Sequence, residues 1–356
     1  MAMADRVAVM GGGIFGLAVA YACARRGATV RLIERRHIGA GASGGLVGAL
    51  APHVPEGWNA TKQFQLESLL MAKDWWSEVA RIGAEDPGYA RLGRVQPLAD
   101  DAAVARARAR AEGARQYWGD AARWEVREAA AVPGLPASSP TGLVIHDTLS
   151  ARLHPRRACA ALAVALRALG AEIIEGAEAA APPAGAAYGA IVWATGWEGL
   201  EALPDGRGRS AGGGVKGQAL VLGHDAGPVP QVYADGIFLV PHADGTLAVG
   251  STSERDFDSP DGTDAQLDDV LARAIALCPA LAGAPVRERW AGVRPRARSR
   301  VPLLGPLPGR PGEYVANGGF RIGFGMAPKV AEVMADLILE GRASGIPEEF
   351  RFAAPG

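Results

Sequence analysis

The chain has 356 residues, enough to bury a large core and to divide into two domains. With 37 basic and 38 acidic side chains its formal net charge is −1, which excludes a global attraction to nucleic acid or to an anionic membrane surface. Three well-separated cysteines, Cys23, Cys159 and Cys278, form no C-x-x-C pair, so they read as small buried residues of a reducing compartment rather than a disulfide or metal framework.

The first stretch, Val7–Glu34, reads as strand, glycine turn, helix, strand and acid. After the apolar run Val7–Met10, Gly11, Gly13 and Gly16 stand in G-x-G-x-x-G register. Gly11 permits a tight bend, Gly13 lets a pyrophosphate approach the backbone, and Gly16 lets the helix that starts near Ile14 pack close to the strand. That helix directs its free N–H groups at a phosphate. The second strand, Thr29–Ile33, ends at Glu34, a carboxylate that can accept hydrogen bonds from ribose hydroxyls, whereas a 2′-phosphorylated cofactor calls for a basic residue. The opening also imitates a signal peptide, but four glycines interrupt its apolar run and no other stretch reaches membrane-spanning length. A soluble cytoplasmic protein is expected.

Residues Arg35–Pro52 form a Gly/Ala-rich loop centred on Ser43, able to lie against a phosphate or a flat ring. Thr61–Ile82 has the apolar spacing of an amphipathic helix, Leu92–Leu98 reads as a strand, and Ala99–Tyr117 as a charged helix whose arginines spread over a solvated face. A strand at Gly142–His146 and a helix at Arg156–Leu169, opened by Pro155 and closed by Gly170, follow. Glu172–Glu175 and Ala190–Ala194 read as strands separated by an irregular segment at Ala179–Ala187. From Gly214 the pattern becomes antiparallel: strands Val215–Leu222, Gly236–Val240 and Thr246–Ser251, with an Asp244-Gly245 hairpin turn. A helix at Asp264–Leu277 precedes strands Val286–Val293 and Tyr314–Asn317, and the last helix is predicted over Ala327–Glu340.

The expected fold is α/β plus α+β, an interrupted Rossmann-like dinucleotide domain with a second, mainly antiparallel domain. The first takes residues 1–53, 154–213 and 294–356, and the second residues 54–153 and 214–293.

The six histidines show no metal-ligand spacing, and no G-x-S-x-G or other nucleophile setting occurs, so neither a metal site nor covalent catalysis is expected. Arginines stand out instead. Arg294 precedes a proline in VRERWAGVRPRARSR, and Arg321 lies in the glycine-rich NGGFRIGFGMAP. A guanidinium can hold a carboxylate through two parallel hydrogen bonds.

Taken together, GGGIFG with Glu34, GASGGLVGALAPH, Ala194-Thr195-Gly196-Trp197, Val215-Lys216-Gly217, FLVP…LAVGST, WAGVRP and GGFRIGFGMAP resemble the glycine oxidase/D-amino-acid oxidase family of FAD-dependent enzymes over nearly the whole chain. The likeness is closest to the glycine oxidases of thiamin biosynthesis. It implies FAD as cofactor, contacted by Ile14, Phe15, Glu34 and Arg35, by Ala42, Ser43, Val47, Gly48 and Ala49, by Ala194 and Gly196, and by Ala179 on the adenine side. Gly319, Phe320, Arg321, Ile322, Gly323, Phe324 and Gly325 would run past the flavin ring. Arg294 and Arg321 match the two arginines that face the substrate, His53 matches a histidine there, and Phe238 stands where those enzymes carry a tyrosine. Two polar residues flanking the family's Phe-Arg are here Gly319 and Ile322.

The resemblance implies oxidative deamination of a small amine or amino acid, of the glycine, sarcosine or D-amino-acid type. A hydride passes to flavin N5, and oxygen or another acceptor takes the electrons. Residues 296–305 contain no cysteine, so the FAD is expected to be non-covalent. No nucleic-acid partner is expected, and homo-oligomer formation is left open. Two alternatives remain at this level: an oxidase of the tRNA wobble-modification type, and a flavin-binding protein without catalysis.

Overall fold

The computed structural model describes residues 5–177, 188–205 and 208–352. In chain order the elements begin with β1 (Arg6–Met10), α1 (Ile14–Arg25), β2 (Thr29–Glu34) and β3 (Ala49–Leu50). There follow α2 (Ala60–Gly83), β4 (Arg94–Pro97), α3 (Asp101–Trp118), β5 (Trp124–Glu128), β6 (Leu143–Asp147) and β7 (Ala151–Arg152). Next come α4 (Pro155–Ala168), β8 (Glu172–Glu175), β9 (Ala190–Trp193), α5 (Gly196–Ala202), β10 (Gly212–Leu222), β11 (Gln231–Ala234), β12 (Ile237–Pro241) and β13 (Leu247–Gly250). The chain closes with α6 (Gln266–Leu277), β14 (Val286–Ala297), β15 (Leu303–Pro306), β16 (Glu313–Asn317) and α7 (Gly323–Glu340).

Two large sheets organise the molecule. The first has the order β15-β16-β9-β1-β2-β8 and is parallel except for the β15·β16 hairpin. Such a sheet must be covered, and α1, α2, α4 and α7 contribute the largest apolar cluster, with Leu17, Tyr21, Trp76, Leu162, Val330 and Met334 fully buried within it. The second sheet has the order β14-β10-β13-β12-β11-β4-β6-β5 and is antiparallel except where β11 runs parallel to β4. Its strands alternate with period two. One face sends Val95, Leu220, Val232, Leu239 and Val249 into a cluster with Leu267 and Val270 of α6. The opposite face therefore presents Arg94 and Gln96 on β4, Tyr233 on β11, Phe238 on β12, Gly250 on β13, Ala219 on β10, and Trp290 and Arg294 on β14.

Several boundaries differ from the sequence expectation. β14 runs on through Arg294-Pro295 to Ala297, so residues 294–297 belong to the eight-stranded sheet. Proline lacks a ladder donor, but β14 is an edge strand, where the loss is tolerated. The final helix starts at Gly323, four residues before the expected Ala327. Its glycine-rich first turn has weak propensity of its own, and packing decides it: Gly325, Met326 and Ala327 are all buried. β5, β11, β15 and α5 were not foreseen; β5 is a charged edge strand whose Trp124 alone is fully buried. Among the described residues, no helix is long and apolar enough to cross a membrane.

Candidate active site

A cavity of about 1030 Å³ lies between the carboxyl ends of β1, β2, β9 and β16 and the open face of the eight-stranded sheet. It exceeds the ~300–1,000 Å³ usual for small-molecule sites, and it occupies the place where parallel α/β sheets bind ligands. Every predicted site residue within the described structure lines it except Gly16. Ala179 falls outside the described residues.

At the dinucleotide end each glycine has a separate physical reason. Gly11 has φ +110°, and a Cβ there would lie 2.3 Å from the Ala194 carbonyl oxygen. A Cβ on Gly16 would lie 2.0 Å from the Gly11 carbonyl oxygen, so this glycine seats α1 against the turn instead of facing the cavity. The Ser43 hydroxyl accepts the Ile14 N–H at 2.9 Å, so one of the first-turn donors expected to face a phosphate is already taken. The positive end of α1 remains, as does the Ser43 hydroxyl itself. Glu34 accepts the Gly12 N–H at 2.7 Å and the Arg36 N–H at 2.8 Å. These bonds fix the carboxylate at the cavity wall, and two bonds leave lone pairs over for a ribose. Arg35, expected beside the cofactor, lines the cavity while paired with Glu198. The loop after Ser43 lies on the eight-stranded sheet: Gly250 accommodates Val47, and Gly45 accommodates the Trp290 ring. Gly319 packs on Phe15, and α7 opens with Gly323, Phe324 and Gly325 at the cavity wall.

The far end is cationic. Arg294 donates to the Ser251 hydroxyl at 2.6 Å and, at longer range, to the Thr252 and Lys216 carbonyls at 3.3 and 3.4 Å. The absence of a side chain at Gly217 makes room for it, because a Cβ there would lie 2.0 Å from both terminal nitrogens. Burial, with repulsion from Arg321 as a smaller cause, pulls the Arg294 guanidinium down to about 10. It stays charged at neutral pH. Arg321 is exposed at the cavity edge, stacked 5.4 Å from the Phe320 ring, which has Arg296 5.5 Å away as well. Neither Arg294 nor Arg321 makes a salt bridge among the described residues. Beneath Arg294, the buried Lys216 faces Glu254 at 3.5 Å, and Gln218 donates to Glu254 at 3.1 Å, which closes that carboxylate in a network of its own.

His53 is half-buried, and its Nδ1 meets the Gln65 carbonyl oxygen at 2.5 Å. The Gln65 oxygen can only accept, so Nδ1 carries the proton and Nε2 is left as the acceptor. Burial keeps the ring below its ordinary pKa. Phe238 lines the cavity with its ring centre 4.5 Å from that of Tyr233, its cross-strand partner. Sequence reasoning missed Tyr233, which brings a phenol beside the phenylalanine that lacks one. It also missed Arg94 and Gln96 on β4. Alternation along two short strands was the available signal, but only their pairing shows which face meets the cavity. Among the described residues, no group of acidic, histidine or cysteine side chains could hold a metal.

The residues present fit a dinucleotide with a flat ring at its far end: a glycine cradle, a helix terminus, a fixed carboxylate, and a backbone-lined passage at 319–325. The family model described as FAD dependent oxidoreductase matches residues 6–337. The chain belongs to this family. It is an FAD-dependent oxidoreductase with the mixed fold expected of one. It is similar to the glycine oxidase of Pseudomonas aeruginosa, 28% identical over 94% of this chain and 95% of that protein. It is also similar to the bifunctional protein ThiO/ThiG of a Nostoc species, 27% identical over 99% of this chain and 55% of that protein. The crystal structure of glycine oxidase from Geobacillus kaustophilus shares the fold, with a TM-score of 0.84 over 98% of both chains and 22% identity.

Proposed function

We propose that this protein oxidises the C–N bond of a small amino or imino acid whose carboxylate is held by Arg294 and Arg321. The observation that carries the reading is the pair of guanidinium groups at one cavity wall, one desolvated and neither salt-bridged among the described residues. A desolvated cation with no salt-bridge partner among the described residues is costly, and a substrate carboxylate supplies a close counter-charge. The similarity to glycine oxidases supports the substrate class.

In this reading residues 1–53, 154–211 and 298–356 hold FAD, and residues 54–153 and 212–297, which include all of β10 and β14, supply most of the substrate walls. FAD bound in the cavity supplies the hydride acceptor. Arg294 orients the carboxylate, and Phe238 and Trp290 exclude water from the cavity wall beside it. The free Nε2 of His53 accepts a hydrogen bond from the substrate nitrogen, while the positive charges of Arg294 and Arg321 disfavour its ammonium form. The cofactor is held non-covalently: all three cysteines are buried, and none lines the cavity.

Mixing the anaerobic holoenzyme with glycine, sarcosine and a panel of D-amino acids tests the reading. At least one is expected to bleach the visible flavin band within the mixing experiment. Failure of every amine-bearing carboxylate to do so would remove it.

A further inference from the structure

The cavity has a second polar pole that carboxylate recognition at Arg294 does not use. Arg94 is 5% exposed, yet it lines the cavity. Its Nε donates to Asp147 at 2.9 Å, while its terminal nitrogens have no hydrogen-bond partner among the described residues. Asp147 is itself fixed by the Ser150 N–H at 2.8 Å, so the guanidinium is held by one edge with the other edge free. Two residues on and on the same face of β4, Gln96 also lines the cavity, and its enclosed amide nitrogen has no partner. Tyr233 completes the group, with the Arg94 guanidinium carbon 5.8 Å from its ring centre. Such a wall is costly for an apolar occupant to cover, since each unmade hydrogen bond forfeits the desolvation of its group.

The position of this pole relative to Arg294 follows from strand order. The Arg294 head reaches Ser251, next to Gly250, and Gly250 is opposite Phe238, which is opposite Tyr233; β4 then pairs with β11. One strand interval is about 4.8 Å, so from the Arg294 head on β13 to β4 is roughly three intervals of backbone, shortened only by the reach of the Arg94 side chain. An α-carboxylate at Arg294 therefore leaves the remainder of a substrate pointing along Phe238 and Tyr233 toward Arg94 and Gln96.

We infer that the preferred substrate carries a second carboxylate, on its side chain or on its nitrogen, and that Arg94, Gln96 and Tyr233 bind it. This rests on the proposed orientation of the amino acid and goes beyond it by naming the substrate class. The free edge of Arg94 offers two parallel N–H donors and Tyr233 a phenol, and Gln96 adds an amide donor when its enclosed, unpartnered nitrogen turns toward the cavity; all of them suit an anionic oxygen pair. Glycine, with nothing beyond its α-carbon, leaves the whole pole unused.

Steady-state kinetics of the FAD-loaded enzyme test this with matched pairs: D-glutamate against D-norvaline, and N-(carboxymethyl)glycine against N-ethylglycine. The diacid of at least one pair is expected to have a kcat/KM at least about 10-fold above its neutral partner, carried mainly by KM. Gln96→Met and Tyr233→Phe, which keep the bulk of each side chain, are expected to reduce that ratio. These two are used because replacing Arg94 would leave Asp147 buried without its partner. Equal or better turnover of both neutral members overturns the inference while leaving amino-acid oxidation standing. A diacid preference that both variants preserve also overturns it, because the preference then comes from elsewhere. Absence of flavin reduction by every compound, glycine and sarcosine included, instead removes the underlying function.

Discussion

Replacing Arg294 by methionine separates a ligand-holding cation from a structural one. Pulling the guanidinium down to about 10, by burial first and by repulsion from Arg321 second, corresponds to a destabilisation of the charged form of about 3 kcal/mol. Against it stand one short hydrogen bond to Ser251 and two long ones to the Thr252 and Lys216 carbonyls, together worth about 2–4 kcal/mol. The two contributions nearly cancel. Methionine fills the space beside Gly217 without a charge, so folding stability is expected to stay within about 1 kcal/mol of the parent. Substrate binding is different, because removing one partner of a desolvated charge pair costs about 2–5 kcal/mol, roughly 30-fold or more in kcat/KM. Urea denaturation of the FAD-saturated proteins gives the first quantity, and anaerobic flavin reduction across a substrate titration gives the second. Acetate, a bare carboxylate, is expected to raise the unfolding midpoint of the parent and not that of the variant. The reasoning fails if the variant keeps kcat/KM within about threefold, or if it loses stability in proportion to activity.

Gly217→Ala places a methyl group 2.0 Å from both Arg294 terminal nitrogens and displaces the guanidinium; a rise in KM of about 10-fold or more with unaltered FAD affinity is expected from kinetics and fluorescence titration. Glu34→Ala removes the acceptor of two backbone N–H groups at the cofactor end, so the FAD dissociation constant should rise at least about tenfold, read by recovery of flavin fluorescence on dilution. His242, 3% exposed and bonded to the Leu46 carbonyl, is pulled down to about 4 by burial. Its depressed native pKa means the unfolded chain takes up the proton first. Stability is therefore full above about pH 6.5 and falls toward pH 4 by up to about 3 kcal/mol; a denaturation series over that range should show the loss, and His242→Asn should flatten it.

The local parts of the site were legible in the sequence because short-range geometry dictates them. Gly11 and Gly16 are required by approaches to Ala194 and to Gly11 itself, and Glu34 follows from the strand that precedes it. Arg294 and Arg321 could be singled out because glycine and proline next to them mark backbone near a ligand. Other features depended on partners distant in the chain. Ser43 caps α1 from 29 residues away, which sequence spacing does not disclose. β14 could keep Pro295 only because it is an edge strand, and sheet order alone makes it one. The last helix begins at Gly323 against its local propensity because buried neighbours stabilise its first turn.

The sequence by itself determined that a dinucleotide turn opens the chain and that two arginines stand near its end, since each rests on a few consecutive residues and their allowed conformations. Tertiary structure alone decided what faces those arginines. Arg94, Gln96, Tyr233 and Phe238 meet in one wall only because β4, β11 and β12 pair in a fixed register, and in a pleated sheet a shift of one residue would turn all of them away from the cavity.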